Sequence, residues 1–181
     1  IMRSLGAVVE YDGKARRMTV DPRPASGYQV PYQQSQRMRA SYYLMGALLG
    51  RFGKAKVALP GGCSFASRPI DQHIKGFLLL GADVEDTDEY VALTPGPDGL
   101  QGGRISLDMA SVGATANLMI AAVLMPGQTV IENAAKEPHI VDLANFLNTM
   151  GARITGAGTD TVKIRGVESL HGGTYAVIPD Q

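Results

Sequence analysis

The sequence of 181 residues has no tryptophan, a single cysteine, no net charge and no long apolar run. Seventeen basic residues balance seventeen acidic ones, which excludes the broad positive field that drives non-specific binding to nucleic acids or anionic membranes. The longest apolar run, Leu118 to Met125, is far shorter than the roughly 20 residues of a membrane-spanning helix. Cys63 has no cysteine partner and the first residues do not resemble an export signal, so we expect a soluble, cytoplasmic protein.

The residues that are present favour a globular domain that combines helices and strands. Hydrophobic residues make up 45% of the chain and charged residues 19%, a balance typical of a sequence that buries a core. The 22 glycines and 10 prolines are spread between apolar segments, which indicates many tight turns rather than low-complexity sequence.

A helix-ending motif recurs about every seventy residues. Its copies are Leu5-Gly6-Ala7, Leu80-Gly81-Ala82 and Met150-Gly151-Ala152. Glycine in this place predicts a helix C-cap, because a left-handed backbone costs glycine little. Alternating apolar residues after each copy predict a hairpin that ends near 18–20, 90–93 or 161–164.

Two kinds of helix accompany the motif. Amphipathic outer helices are predicted before Gly81 and Gly151. Their expected buried faces are Ile70, Ile74 and Leu78 in the first and Ile140, Leu143, Phe146 and Leu147 in the second. Inner helices at 40–49 and 114–124 are apolar nearly all round, and each leads through a glycine turn into a strand, at 56–59 or 129–131. Since a helix without a polar face must be buried, we expect helices inside and sheets outside.

The repeat predicts a fold class and a domain organisation. Units of strand, helix, strand, helix and hairpin (βαβαββ) predict an α/β protein whose units close in a pseudo-threefold arrangement. Parts of three units are recognisable, at about 1–79, 80–149 and 150–181. The third unit stops before its inner helix and the first starts within its outer helix. We therefore interpret residues 1–181 as most of one domain of a longer protein.

Cys63 is the first candidate for chemistry. It lies in the segment Pro60-Gly61-Gly62-Cys63, which follows a predicted strand and is typical of a loop. A free thiol has a pKa of roughly 8.5, and an arginine as near as Arg68 lowers that pKa towards the range of acid-base or nucleophilic catalysis. A lone cysteine without a role is the commoner case, but such cysteines are usually buried in core elements. We therefore favour a functional thiol.

Two helix starts are the second candidate. Arg39 opens the first inner helix, and Ser111-Val112-Gly113 opens its counterpart. Helix starts offer free N–H groups and a positive dipole end to anions, and small residues let a phosphate approach the backbone. The alternatives are a plain N-cap for Ser111 and a surface ion pair for Arg39. Together with the loop thiol, these groups favour a substrate with several negative charges.

Other site chemistries are not supported by the sequence. One cysteine and the widely spaced His73, His139 and His171 give no metal-ligand spacing, and no cofactor is expected. Gly53-Lys54 lacks the flanking residues of a phosphate-binding loop. Gly156-Ala157-Gly158 lacks the third glycine of a dinucleotide fingerprint and is interpreted as a hairpin turn.

Six motifs follow one another along nearly the whole chain. They are Met38-Arg39-Ala40-Ser41, Leu59-Pro60-Gly61-Gly62-Cys63, Arg68-Pro69-Ile70-Asp71, Ser111-Val112-Gly113-Ala114-Thr115, Ile131-Glu132-Asn133-Ala134-Ala135 and Gly156-Ala157-Gly158-Thr159-Asp160. The series resembles the UDP-N-acetylglucosamine 1-carboxyvinyltransferases. The resemblance implies a two-domain enzyme, each domain an inside-out α/β barrel, of which this chain lacks the second domain. The implied reaction transfers enolpyruvyl from phosphoenolpyruvate to the sugar 3-hydroxyl with loss of phosphate, the first committed step of peptidoglycan synthesis.

The same resemblance implies roles for individual residues. Cys63 matches the acid that protonates phosphoenolpyruvate and that fosfomycin alkylates. Arg39 and Arg68 match arginines that grip phosphoenolpyruvate or the sugar diphosphate, since guanidinium groups bind carboxylate and phosphate bidentately. The nucleotide-sugar site is implied at Arg68, Pro69, Ile70, Asp71 and Gln72 and at Met109, Ala110, Ser111, Val112 and Gly113. The implied partners are these two small molecules and no nucleic acid.

The sequence departs from the family's pattern in several places. Many relatives carry lysine or proline near Met109 or Ala110, an acidic residue in place of His139, and arginine where this chain has Gln181. The family's lysine-asparagine pair near the start and its aspartate base on the other domain have no counterpart here. We therefore expect no turnover from this chain alone.

Three other interpretations are less favoured. The sister enzyme, enolpyruvylshikimate phosphate synthase, shares the barrel but normally lacks the loop cysteine. A nucleotide-sugar-binding module that lost catalysis would not need to keep Cys63, Arg39 and Arg68 together. A purely structural repeat protein would not need a thiol on a glycine-rich loop.

Overall fold

The computed structural model describes residues 1–35, 37–58 and 70–179, and of Arg39 only the backbone. Its strands are β1 (Val8–Asp12), β2 (Arg17–Asp21), β3 (Gln29–Val30), β4 (Ala55–Ala58), β5 (Ala82–Asp86), β6 (Tyr90–Pro95), β7 (Arg104–Ser106), β8 (Gln128–Glu132), β9 (Arg153–Thr155) and β10 (Thr161–Arg165). Its α-helices are α1 (Tyr32–Ser35), α2 (Leu44–Phe52), α3 (Asp71–Leu79), α4 (Val112–Ala122) and α5 (Pro138–Thr149), and 3-10 turns occupy Met2–Leu5 and Arg39–Tyr43.

Two four-stranded sheets share one strand order. The first is β3-β4-β6-β5 and the second β7-β8-β10-β9. In each sheet the first two strands are parallel, and the last two form an antiparallel hairpin whose second strand pairs with the strand after the inner helix. This common order is what a repeated βαβαββ unit predicts. Strands β1 and β2 form a separate antiparallel pair, the hairpin that follows the first helix-ending motif.

The glycines of the repeated motif have the predicted conformation. Gly6, Gly81 and Gly151 have φ values of 93°, 81° and 97°. Each follows a helix or a 3-10 turn, and a hairpin starts within two residues of each. The predictions of helix C-caps followed by hairpins are therefore confirmed. The turn at 156–158 joins β9 to β10, also as predicted.

Helix α4 is the centre of the core. Its buried residues are Ala114, Thr115, Ala116, Asn117, Leu118, Met119, Ala121 and Ala122. It packs against α2, α3, α5 and β10, while α2 packs on β4 and β6. The predicted arrangement of inner helices and outer sheets is confirmed, and the chain has an α/β fold.

The two inner helices cross closely because α2 carries glycine at the contact. A Cβ atom on Gly46 would lie 2.2 Å from the backbone oxygen of Asn117, and one on Gly50 would lie 3.3 Å from that of Ala121. The first distance is shorter than any carbon-oxygen contact allows, so α4 excludes a side chain at position 46.

The predicted buried face of α3 is only partly right, because Ile70 and Ile74 are no more than half-buried. Leu78 is 52% exposed, and the buried residues are instead Gln72, His73, Gly76 and Phe77. Gly76 explains the difference, because a Cβ atom there would lie 2.4 Å from Cδ1 of Leu118. Helix α3 therefore turns its glycine side, rather than its row of branched side chains, towards α4.

The predicted face of α5 is partly right. Ile140 and Leu147 are buried and Leu143 is half-buried, but Phe146 is 39% exposed. Its ring lies 5.6 Å from that of Tyr175, which comes from the segment after β10. None of the described helices is long and apolar enough to cross a bilayer.

Candidate functional site

The start of α4 is a capped helix terminus. Ser111 has an extended backbone (φ −131°, ψ 113°), and its hydroxyl accepts a hydrogen bond from the Ala114 N–H at 3.3 Å. This is the N-cap role that the sequence left open for Ser111. The N–H groups of Val112 and Gly113 precede the intrahelical hydrogen bonds, so they and the helix dipole face any anion placed there.

The start of α3 is tied to the residues before α4 through Gln72. Gln72 is 4% exposed. Its Nε2 donates to Asp108 Oδ2 at 3.1 Å and to Asp71 Oδ2 at 3.0 Å, and its Oε1 accepts from the Asp108 N–H at 2.8 Å. The family resemblance implicates 68–72 and 109–113 in nucleotide-sugar binding. The structure brings the described part of the first range, 70–72, next to Asp108, which directly precedes the second.

Asp108 is held as a carboxylate at this junction. The Lys75 ammonium donates to Asp108 Oδ1, and this hydrogen bond, followed by that of the Gln72 amide, lowers the pKa of the Asp108 carboxyl. The next two residues, Met109 and Ala110, are exposed, with Met109 at 60%. The segment before α4 is thus anchored at one end by Asp108 and open to solvent beyond it.

His73 lies beneath the start of α4. It is 5% exposed, and neither ring nitrogen makes a hydrogen bond within the described structure. A Cβ atom on Gly113 would lie 3.0 Å from His73 Nε2 and 3.2 Å from the hydroxyl oxygen of Tyr42. Burial lowers the His73 pKa from 6.5 to about 4, although the Asp71 carboxylate and the Gly113 backbone oppose the shift. The imidazole is therefore neutral near pH 7.

Sequence reasoning missed His73 and Tyr42. Both contact Gly113, and their rings meet edge-on with centroids 5.3 Å apart. The available signal was that His73 directly follows the implicated pair Asp71-Gln72. Tyr42 gave no signal, because its neighbours come from α3 and α4.

The remaining predicted residues are described incompletely. Arg39 opens the 3-10 turn, preceded by Met38 with an extended backbone (φ −136°, ψ 104°) close to that of Ser111. Cys63, Arg68 and Pro69 lie outside the described residues. Ile70 is half-buried directly before α3. The functional role of the Cys63 thiol therefore stays a prediction.

A cavity of about 680 Å³ opens elsewhere, at the ends of β3 and β4. Its wall includes Lys56, whose ammonium nitrogen lies 3.5 Å from the ring centroid of Tyr90. The other lining residues are Gln29, Val30, Pro31, Tyr32, Ala58 and Glu89. None of the predicted site residues that the structure describes lines it. Among the described residues, no group of three or more His, Cys, Asp or Glu side chains is placed to hold a metal ion.

Solved structures with this fold are enolpyruvyl transferases. The chain is similar to the enolpyruvyl transferase NikO from Streptomyces tendae, with a TM-score of 0.76 and 28% identity, over 94% of this chain and 40% of that one. It also matches EPSP synthase from Acinetobacter baumannii, with a TM-score of 0.66 and 22% identity, over 94% of this chain and 38% of that one. At 22% identity, the similarity to EPSP synthase concerns the fold alone. The fold of the chain is therefore that of the enolpyruvyl transferases.

The family model for EPSP synthase (3-phosphoshikimate 1-carboxyvinyltransferase) matches residues 1–181, and the chain belongs to this family. Within it, relatives named UDP-N-acetylglucosamine 1-carboxyvinyltransferase 2 from Bacillus cereus and Listeria monocytogenes are 54% and 55% identical over all 181 residues. The resemblance inferred from the six motifs is thereby confirmed. The chain spans 42% of the length of these relatives.

Proposed function

We propose that the protein to which this chain contributes transfers the enolpyruvyl group from phosphoenolpyruvate to the 3-hydroxyl of UDP-N-acetylglucosamine and releases phosphate. The observation that carries the proposal is the junction of the α3 and α4 starts through Gln72 and Asp108, in a chain 54% identical to relatives named for this reaction. A diphosphate needs closely spaced N–H donors and a positive dipole end, and the start of α4 provides both. The product feeds peptidoglycan synthesis.

The nucleotide sugar is proposed to bind along both helix starts. Residues 109–113 would receive the diphosphate, because their backbone approaches solvent without bulky buried side chains. Asp71, with Arg68, Pro69 and Ile70, would contact the uridine, and the buried Gln72 would hold Asp71 in place. The buried Gln72 amide supports this, since its bonds to Asp71 and Asp108 fix the spacing between the two subsites.

The chemical step needs a proton donor. Addition across the enol double bond places a proton on C3 of phosphoenolpyruvate while the oxygen of the sugar 3-hydroxyl attacks C2 and its proton passes to a base of the second domain. Elimination then removes a proton from C3 and returns the double bond as phosphate leaves. Cys63 is proposed as the acid, on a loop that closes over the substrates. Arg39 and Arg68 are proposed to bind the carboxylate and phosphate groups bidentately.

We place residues 1–181 as most of one barrel domain of this enzyme, in units at about 1–79, 80–149 and 150–181, with a second domain completing the active site. Two four-stranded sheets with one strand order support the repeated unit. A cytoplasmic location is proposed because both substrates are intracellular metabolites and Cys63 requires a reducing compartment.

Fosfomycin labelling tests the proposal. The complete transferase carrying this sequence is treated with fosfomycin and analysed by mass spectrometry, and we expect one adduct on Cys63. A Cys63→Ser variant is the matched control and should stay unlabelled and lose activity. Labelling elsewhere, or normal activity in Cys63→Ser, would remove the assigned acid.

Acceptor specificity distinguishes the proposed reaction from that of 3-phosphoshikimate 1-carboxyvinyltransferase, the enzyme after which the family is named. Phosphate release is measured with phosphoenolpyruvate and either UDP-N-acetylglucosamine or 3-phosphoshikimate. We expect release only with the nucleotide sugar. Release with 3-phosphoshikimate alone would assign the chain to the sister reaction, and binding of the nucleotide sugar without release would favour a binding module.

A further inference from the structure

The first inner helix is divided between two helical geometries. Arg39–Tyr43 form a 3-10 turn, and α2 continues from Leu44. Tyr43 and Leu44 both have helical backbone angles (φ −63°, ψ −20° and φ −66°, ψ −19°), so the chain continues as one helix while its hydrogen-bond pattern changes. Backbone groups that leave the regular pattern in a buried place require another partner.

Asn117 of α4 supplies this partner. Tyr42 and Gly46 are four residues apart, the spacing of one α-helical hydrogen bond. Asn117 Nδ2 donates to the Tyr42 carbonyl oxygen at 2.9 Å, and Asn117 Oδ1 accepts from the Gly46 N–H at 2.7 Å. The carboxamide is therefore inserted into the hydrogen-bond ladder of the neighbouring helix. Asn117 is fully buried, so water does not compete for either bond.

Tyr42 connects the same turn to the start of α4 a second time. Its hydroxyl packs on Gly113, and its ring packs on His73, which also lies against Gly113. Helix α4 thus holds Tyr42 at its carbonyl group, through Asn117, and at the far end of its side chain. Arg39 begins the turn that contains Tyr42.

We infer that Asn117 is a positioning residue, which fixes the turn that begins at Arg39 against the start of α4 and thereby sets the affinity for the nucleotide sugar. This inference rests on the proposed function, because it assumes that Arg39 and residues 109–113 bind one ligand. Asn117 does so from one turn inside α4, through the backbone of Tyr42 and Gly46. A buried amide with both hydrogen bonds made tolerates little displacement, since any shift leaves a polar group unpaired.

Two substitutions in the complete transferase test this role. Asn117→Asp keeps the volume and the acceptor for Gly46 but loses the donor to Tyr42, whereas Asn117→Leu keeps the branched arrangement of heavy atoms and loses both. We expect the Kd for UDP-N-acetylglucosamine to rise about tenfold in each, as for a residue that couples two elements of a site. The KM for this substrate should rise more than kcat falls.

Asn148 provides a matched control. From α5 it makes the same pair of bonds, donating to the Ile154 carbonyl oxygen and accepting from the Ile154 N–H, both at 2.9 Å. Asn148→Asp should lower the melting temperature without changing the Kd. In an Arg39→Ala background, Asn117→Asp should raise the Kd little further, because the turn then no longer carries the arginine.

The outcomes separate this inference from the proposed function. Asn117 variants that melt earlier but bind UDP-N-acetylglucosamine like the wild type, or effects that add fully to Arg39→Ala, would overturn the positioning role alone. If neither variant folds, amide exchange in the wild type decides: ligand should slow exchange at Gly46 and not at Ile154, and equal rates at Gly46 with and without ligand would contradict the role. A wild type that does not bind the nucleotide sugar would overturn both.

Discussion

At the scale of single residues, His73 is the most unusual group in the described structure. A buried imidazole normally makes at least one hydrogen bond, yet among the described residues neither nitrogen has a partner in good hydrogen-bond geometry, and the Gly113 backbone is near enough only to oppose the lowering of the pKa. Its neighbours are the Tyr42 ring and Gly113. Because the imidazole is neutral near pH 7, it places no positive charge next to Gly113 at the start of α4. A Cβ atom at position 113 would lie 3.0–3.2 Å from the imidazole and the Tyr42 hydroxyl oxygen, so a larger residue there would fit only if these side chains moved by a few tenths of an ångström.

The lowered pKa of His73 predicts a stability that depends on pH. Below pH 6.5 this histidine binds a proton in the unfolded chain, whereas in the folded protein it does so only near pH 4. The free energy of unfolding therefore has its full value above pH 6.5 and decreases as the pH falls to about 4. The loss is at most about 3 kcal/mol. Urea unfolding of the chain at several pH values should show this slope.

Substitution of His73 isolates its contribution. His73→Phe keeps an aromatic ring and removes the titrating group, so the decrease in unfolding free energy between pH 6.5 and 4 should be smaller than in the wild type. His139→Gln, on the exposed surface of α5, is the control and should keep the wild-type slope. Identical slopes in all three proteins would contradict the assignment of the low pKa to His73.

At the scale of secondary-structure elements, the crossing of α2 and α4 determines how the site is assembled. Gly46 and Gly50 let α2 approach Asn117 and Ala121, and the approach is what brings Asn117 within reach of the Tyr42 carbonyl. The same close packing recurs at Gly76, where α3 meets Leu118 of α4. Glycines on the faces of α2 and α3 that contact α4 therefore set how closely these two helices approach it.

The two glycines of α2 should differ sharply in their tolerance of alanine. Gly46→Ala places a methyl group onto the Asn117 backbone and should lower the free energy of unfolding by about 2–3 kcal/mol. Gly50→Ala meets only a tight contact at 3.3 Å, and the better helix propensity of alanine, about 1 kcal/mol, offsets it. Urea denaturation of both variants measures the difference, and equal destabilisation would contradict the described crossing.

At the scale of the whole molecule, the chain corresponds to only part of the length of its relatives. One sheet packs on α2 through β4 and β6, and the other packs on α4 through β10. The matched relatives are more than twice as long as this chain, which spans 42% of each. In the proposed enzyme, a second domain supplies the remaining catalytic groups.

The chain by itself should therefore have no transferase activity. Phosphate release from phosphoenolpyruvate and UDP-N-acetylglucosamine is the measurement, with the complete enzyme as the positive control. Release by the 181-residue chain alone would show that the proposed second domain is dispensable.

Much of the architecture was predictable because local rules govern it. Glycine after an apolar helix signalled each C-cap, and alternating residues signalled each hairpin. The buried faces of α3 and α5 were less predictable, because the small residues Gly76 and Ala144 are buried while larger apolar residues of the same helices are exposed. Ser111 was recognised as a helix start, whereas His73 and Tyr42 were not, because their contacts come from elements distant in sequence.

The sequence alone determined the repeated unit, the central apolar helix and the family, since these follow from glycine spacing, from a helix without a polar face and from motifs in order. Tertiary structure decided which face of α3 is buried, how little space surrounds Gly113 and how Asn117 hydrogen-bonds to the backbone at the start of α2. The physical reason is that these features depend on distances between segments such as 42–46 and 113–117, which only packing brings within hydrogen-bond range.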